Sequence, residues 1–214
     1  MTHLAEADHA DVADQQMELF LTCRRRIEEA LGPIRIWHIA NSAAMLRGEP
    51  VDIPDAAEVW ARPGLALYGD MNGLDFGGTE LEPVMGLESR AVLTKRVPEG
   101  TRVSYGGTFT TKRPSRLAIV PIGYADGYPW RASGQAQALI RGHRVPVVGR
   151  VTMDMIVIDV TGIEGLNVGE PVVLLGRQGD ERITLHDLAS WAGTITYEIL
   201  CGISKRMPRQ YRGA

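Results

Sequence analysis

"DMNGLDFGGTELEP", Asp70 to Pro83, is the stretch that decides how this chain is read. It holds Gly73, Gly77 and Gly78, shows no apolar repeat at helical spacing, and closes on Pro83. Glycine admits left-handed backbone and proline lacks an N–H, so such a stretch punctuates regular structure instead of extending it. The patterns on its two sides differ. Upstream, strand-like and helix-like runs alternate; downstream, almost every run is strand-like. We place a domain boundary here, with residues 1–72 before it and 73–214 after it.

Upstream, "MTHLA" is a short apolar piece at the chain start. Phe20, Cys23, Ile27 and Leu31 then recur at i, i+3, i+7 and i+11 among Arg24, Arg25, Arg26, Glu28 and Glu29, which predicts a helix stopped by Gly32-Pro33. "IRIWHIA" (34–40) reads as a buried strand and "NSAAMLR" as a short helix entered through Asn41 or Ser42. "VWARPGLALYG" (59–69) is a further apolar strand running into a turn. Strand–helix alternation implies parallel strands under covering helices. Three strands cannot close an eight-stranded α/β barrel, so this part is expected to be only the end of one, with an open edge.

Downstream, segments 86–97, 101–110, 116–123, 135–141, 144–149, 151–160 and 170–176 read as strands, with a hairpin turning at Gly142. Thr184 and Asp187 form a capping box ahead of "LHDLASWA", which Gly193 ends. "TITYEILCGISKR" reads as strand again. The fold class expected is α/β followed by all-β: the end of a (β/α)8 barrel, then a mostly antiparallel, closed or nearly closed β-barrel-like domain.

The 214 residues carry a net charge of −3 with both signs interspersed, which argues against nucleic acid or an anionic membrane as main partner. No window reaches the length of an apolar span, and the acidic "MTHLAEADHADVADQQ" lacks a basic-then-apolar leader. Cys23 and Cys201, far apart, are expected as buried free thiols of a cytoplasmic protein. The five histidines show no metal-ligand spacing, and neither a nucleophile elbow nor a P-loop occurs, so metal catalysis, serine hydrolysis and nucleotide hydrolysis are disfavoured.

Four places remain as candidates for chemistry. The Ser42 hydroxyl and the backbone N–H groups of Gly64 and Leu65 lie where strands run into turns, which suits either an ordinary turn or a phosphate. Arg62, on a run otherwise set up for burial, needs a partner for its donors: a structural ion pair or a ligand atom. Tyr105, in "TRVSYGGTFTT", sits among glycines either as the rim of a β-bulge or as an acid–base group reaching a cleft. As a base near neutral pH, a phenol with an ordinary pKa of about 10 needs positive charge nearby. In "PIGYADGYPW" Tyr124 precedes an Asp126-Gly127 turn, and in "GRVTMDMIVIDV" Arg150, Met153 and Asp154 precede a strand, as a structural Arg–Asp pair or as the lining of an entrance.

"HIANSAA", "RPGLALYG", "VSYGGTF", "VPIGYADGY", "VGRVTMD" and "TITYEILC", in this order and spacing, resemble the C-terminal part of bacterial alanine racemases across essentially the whole chain. The resemblance implies an N-terminal α/β barrel holding pyridoxal 5′-phosphate and a C-terminal β domain. It also implies a head-to-tail homodimer in which each β domain closes the partner's site. It casts Tyr105 as the catalytic base at the α-carbon of L-alanine, and Arg62 as the partner of the cofactor's ring nitrogen. Ser42, Gly64, Leu65 and Tyr197 would hold its phosphate, the Met153 backbone the substrate carboxylate, and Tyr124, Arg150 and Asp154 would line the access path. The product implied is D-alanine for peptidoglycan. Racemisation needs two opposed bases, and the family's second is a lysine bonded to the cofactor near the barrel's first strand. Lys95, Lys112 and Lys205 match no such motif, so the chain is expected to be a C-terminal portion, inactive alone. The alternative is a non-catalytic β-domain module for interaction or folding.

Overall fold

A computed structural model describes residues 1–47, 53, 56 and 58–213. Two compact units make up the chain, Met1–Val84 and Met85–Ala214.

The first unit opens with helix α1 (Ala10–Leu31), ended by Gly32 at φ 83°. Strand β1 (Ile36–His38), helix α2 (Ser42–Leu46) and strand β2 (Glu58–Trp60) follow, and β1 pairs with β2 in parallel. Its core joins Leu4, Phe20, Trp37, Ile39 and Ala44. The inward face of α1 is not the stripe expected. Ala13, Phe20 and Arg24 are buried, whereas Cys23 is exposed and Leu31 is 79 % exposed. Arg24 holds the inner position through its neighbours: its guanidinium lies 5.7 Å from the Trp37 ring centre and pairs with Glu28 at 3.0 Å. Trp37 donates to the same carboxylate at 3.2 Å and meets Phe20 edge-on at 5.5 Å. A helix can turn only one face to a sheet, so seating Arg24 rotates Cys23, Ile27 and Leu31 outward.

"MTHLA" belongs to no strand; its carbonyls serve as acceptors instead, Leu4 O for Asn41 Nδ2 at 2.9 Å and Thr2 O for Arg62. The run 59–61 is not buried either, since Trp60 is 53 % exposed. Among the described residues β2 pairs on one side only, which leaves it an edge strand with uncovered apolar groups.

The second unit is built on antiparallel pairing. Strand β7 (Ser115–Val120) lies between β4 (Leu93–Val97) and β10 (Ile156–Asp159). Strand β11 (Pro171–Gln178) is the hub of the other main sheet, pairing with β3 (Leu87–Arg90), β8 (Gln137–Ile140) and β12 (Glu181–Ile183). Strand β9 (His143–Pro146) pairs with β8 through the expected hairpin, where Arg141 and Gly142 both take positive φ. A small hairpin joins β5 (Arg102–Val103) to β6 (Phe109–Thr110). The sheets are antiparallel, as expected, but do not close into a barrel among the described residues, which corrects the closed form of the expectation. Among the described residues the β10–β7–β4 and β12–β11–β8–β9 sheets stay separate, joined by the isolated bridge Val147 to Ile158.

The core between the sheets holds Val120, Leu139, Ile156, Ile158, Leu174 and Ile183, all fully buried. Each such side chain contributes about 1.5–3 kcal/mol on leaving water. Helix α3 (Leu185–Ala192) starts at the predicted capping box and ends at Gly193, in left-handed backbone. The segment after it is not a strand. It forms helix α4 (Thr196–Gly202), with Thr196 and Ile199 buried one helical turn apart and Leu200 and Ile203 packed beside them. Its β-branched residues mimic a strand, but the 196/199/200/203 spacing suits one helical face. Cys201, on this helix, is free and exposed, as is Cys23, against the burial expected. Among the described residues no helix is long and apolar enough to cross a membrane.

Candidate active site

Expected site residues occur in both units. In the first, the Asn41 side chain caps α2 by accepting from Ala44 N at 3.1 Å, which sets the turn after β1 and makes Ser42 the first helical residue. Ser42 Oγ, buried, accepts from Gly64 N at 2.9 Å and Ala66 N at 3.2 Å. A hydroxyl has two lone pairs and one hydrogen, so with both lone pairs used Ser42 retains its hydrogen for donation. Leu65 is buried and opens the 3-10 turn Leu65–Tyr68. The space beside Gly64 where a side chain would project is clear for 4 Å, and its φ of −115° is open to any residue. The backbone there is bare by choice of residue, not by local crowding.

Arg62 follows β2 on the same connection. Its Nη1 meets His38 Nδ1 at 3.0 Å, and its Nη2 donates to Thr2 O at 2.7 Å and Ile39 O at 3.1 Å. Arginine only donates, so His38 Nδ1 accepts and its hydrogen sits on Nε2. Burial, then the Arg62 charge, then the N-terminal ammonium hold the His38 pKa below its ordinary 6.5. Among the described residues Arg62 is held by His38 and by carbonyls, no carboxylate pairs with it, and its Nε–H meets no acceptor.

In the second unit Tyr105 lies in the loop between β5 and β6, not on a bulged strand. Register Arg102–Thr110 and Val103–Phe109 leaves residues 104–108 as the loop. Ser104, Gly106 and Gly107 all take positive φ (61°, 71° and 54°), which throws Tyr105 outward to 74 % exposure. A Cβ at Gly107 would meet the Arg102 guanidinium, the end of a flexible side chain, so it is the positive φ that favours glycine there. Ser104 Oγ donates to Arg150 O at 2.8 Å, which ties this loop to the 149–155 loop.

The 149–155 loop in turn holds the Tyr124 turn. Tyr124 N donates to Thr152 O and Ala125 N to Met153 O, both at 3.0 Å. Gly123 lies so close that a Cβ there would stand 2.2 Å from Thr152 O and 2.4 Å from Met153 O. Gly127, at φ 98°, ends the turn against Gly202 O at the end of α4, the helix that carries Tyr197. Tyr105, Tyr124, Arg150, Met153 and Asp154 are thereby gathered on connected loops of one unit.

Arg150 and Asp154 do not pair. The Arg150 guanidinium lies 5.6 Å from the Trp130 ring centre, and Asp154 pairs instead with Arg206 at 2.9 Å. Arg206 also reaches Asp126 at 3.4 Å. Sequence reasoning missed Arg206: it is 52 residues from Asp154, in a basic run that reads as surface. The available signal was two loop aspartates in want of a cation.

The match with known proteins is specific at both ends of the chain. The profile described as "Alanine racemase, N-terminal domain" matches residues 1–72, and "Alanine racemase, C-terminal domain" matches 84–211. The alanine racemase of Halothermothrix orenii is 43 % identical over 215 residues, covering 99 % of this chain and 55 % of that protein. The crystal structure of alanine racemase from Bacillus anthracis with bound L-Ala-P superposes with a TM-score of 0.87 at 36 % identity, over 99 % of this chain and 54 % of that one. The alanine racemase of Bartonella henselae, with covalently bound pyridoxal phosphate, gives a TM-score of 0.78 at 29 % identity, over 99 % and 56 %. The chain spans about half the length of the relatives it matches. On these matches the chain belongs to the alanine racemase family.

Proposed function

We propose that this chain supplies the C-terminal portion of a pyridoxal 5′-phosphate-dependent racemase that interconverts L- and D-alanine in the cytoplasm, the D-isomer serving peptidoglycan. Residues 1–72 act as the end of the cofactor barrel and 73–214 as the β domain, facing the partner's barrel in a homodimer. The observation that carries this reading is Tyr105, an outward phenol on a glycine loop tied to the turn that bears Tyr124 and Met153.

The residues present fit the cofactor. Ser42, whose lone pairs are taken by Gly64 N and Ala66 N, keeps a hydroxyl hydrogen at the turn that Leu65 opens, which suits a phosphate. Arg62 keeps an Nε–H for a ring nitrogen. When bound, the cofactor supplies an electron sink for the electrons left at Cα once its hydrogen is removed. Arg62 does not surrender its proton, so it would donate a hydrogen bond to the ring nitrogen without protonating it, which would keep the sink modest. Tyr105 Oη takes the α-hydrogen on one face or returns it, and the Met153 backbone holds the substrate carboxylate. Tyr124, Arg150 and Asp154 flank the way in. The opposing base is a lysine from polypeptide outside this chain, so these 214 residues alone do not turn over.

Co-expression with a polypeptide carrying the earlier barrel strands and that lysine tests the reading. Turnover of L-alanine is expected from the pair and not from this chain alone. Tyr105→Phe should lower kcat by about 10²–10⁴-fold. Equal turnover in both would remove Tyr105 as base, and turnover by this chain alone would remove the need for a second polypeptide.

A further inference from the structure

We propose that Arg206 is a positioning residue for the substrate-binding loop, locking the Tyr124 turn and the Met153–Asp154 tip together; this role rests on the racemase reading above. The Asp126 carboxylate divides its work. Its Oδ2 accepts from Gly123 N at 2.9 Å, closing its own turn, while Oδ1 faces Arg206 Nε at 3.4 Å. The other end of the same guanidinium donates from Nη2 to Asp154 Oδ1 at 2.9 Å. One cation thus spans two carboxylates on two loops.

The cation is itself held in place. Arg206 N donates to Ser204 Oγ at 3.1 Å, and Ser204 N to Asp126 O at 2.9 Å. Arg209 clamps the same segment by donating to the carbonyls of Ile203, Ser204 and Met207. The segment leaves α4 where Gly202 packs on Gly127, so the lock also reaches the helix bearing Tyr197. Without Arg206 two carboxylates share one place with no cation between them. The pairs are half-exposed at Arg206 and Asp154 but mostly buried at Asp126, so the loss exceeds that of a free surface pair.

Tyr105 stands on the β5–β6 hairpin, whose Ser104 meets the 149–155 loop at Arg150 O, away from the Met153–Asp154 tip that Arg206 holds. Loosening Arg206 therefore weakens substrate binding and spares proton transfer. Two arms test this. In the chain as it stands, Arg206→Met should speed amide exchange at Ala125 and Met155 roughly fivefold, and Arg206→Lys, which keeps one of the two pairs, should fall between. Exchange within twofold of wild type would overturn the proposal. In the co-expressed enzyme, Arg206→Met should raise KM for alanine about fivefold with kcat within twofold, and adding Asp154→Asn should change little further. A fall in kcat at unchanged KM, or fully additive single variants, would overturn it. Should Arg206→Met fail to fold, Asp154→Asn alone, which keeps only the Arg206–Asp126 pair, is expected to give the same intermediate exchange and KM changes as Arg206→Lys. If the wild-type pair shows no turnover, the racemase reading fails and the exchange arm still decides the lock.

Discussion

Gly123→Ala is the substitution whose effect the structure sets most tightly. The backbone at Gly123 is extended (φ −149°, ψ −165°), a conformation any residue adopts, so alanine brings no torsional strain. All of the effect comes from the methyl group, which would stand 2.2 Å from Thr152 O and 2.4 Å from Met153 O. Those neighbours are backbone and cannot rotate away. Ordinary contact needs the two loops to part by about 1 Å, which stretches both 3.0 Å bonds, Tyr124 N to Thr152 O and Ala125 N to Met153 O, out of hydrogen-bonding range. Each bond contributes about 1 kcal/mol and overpacking adds about 1–3 kcal/mol, so a loss near 3 kcal/mol is expected. The readout is amide exchange of β7 and β10, whose core amides open only when the second unit unfolds. About 3 kcal/mol corresponds to exchange roughly 150-fold faster. Rates within threefold of wild type would refute the argument that this crossing admits only glycine.

Two further outcomes follow from the same geometry. His38 should titrate below 6.5; because the unfolded chain then binds its proton more readily than the folded one, the first unit loses stability as pH falls below 6.5 through the folded midpoint. Arg62→Met should raise that midpoint without restoring 6.5, since burial is the larger cause, and a wild-type midpoint at or above 6.5 by NMR titration would contradict this. Thr184→Ala removes the hydroxyl that accepts from Asp187 N at 3.0 Å, so α3 should lose about 1 kcal/mol, read as faster exchange of its first-turn amides, while Thr184→Ser stays near wild type.

Features governed by near neighbours in the chain were legible in the sequence. The Gly32 stop, the Asn41 cap, the Thr184–Asp187 box and the turn at Gly142 each depend on residues within about four positions, and each is present as expected. Expectations that required knowing what packs on what went astray. The α1 stripe placed Cys23 inward, because nothing near Arg24 in the chain announces Trp37 as its partner. The α4 segment reads as a strand because β-branched residues favour strands until a neighbouring core selects one helical face. Arg150 and Asp154 look paired when only their spacing is seen, yet Trp130 and Arg206 take them separately.

The order and spacing of the six motifs, and with them the family, were determined by sequence alone, since a shared ancestry leaves its mark residue by residue. Tertiary structure alone decided that the β domain stays open, that Ser42 turns both lone pairs to the Gly64 turn, and that Arg206 bridges Asp126 and Asp154. The reason is range. Helix caps and turns are closed by atoms a few bonds apart, whereas charge partners and sheet edges are chosen by segments tens of residues away, and only folding brings those into contact.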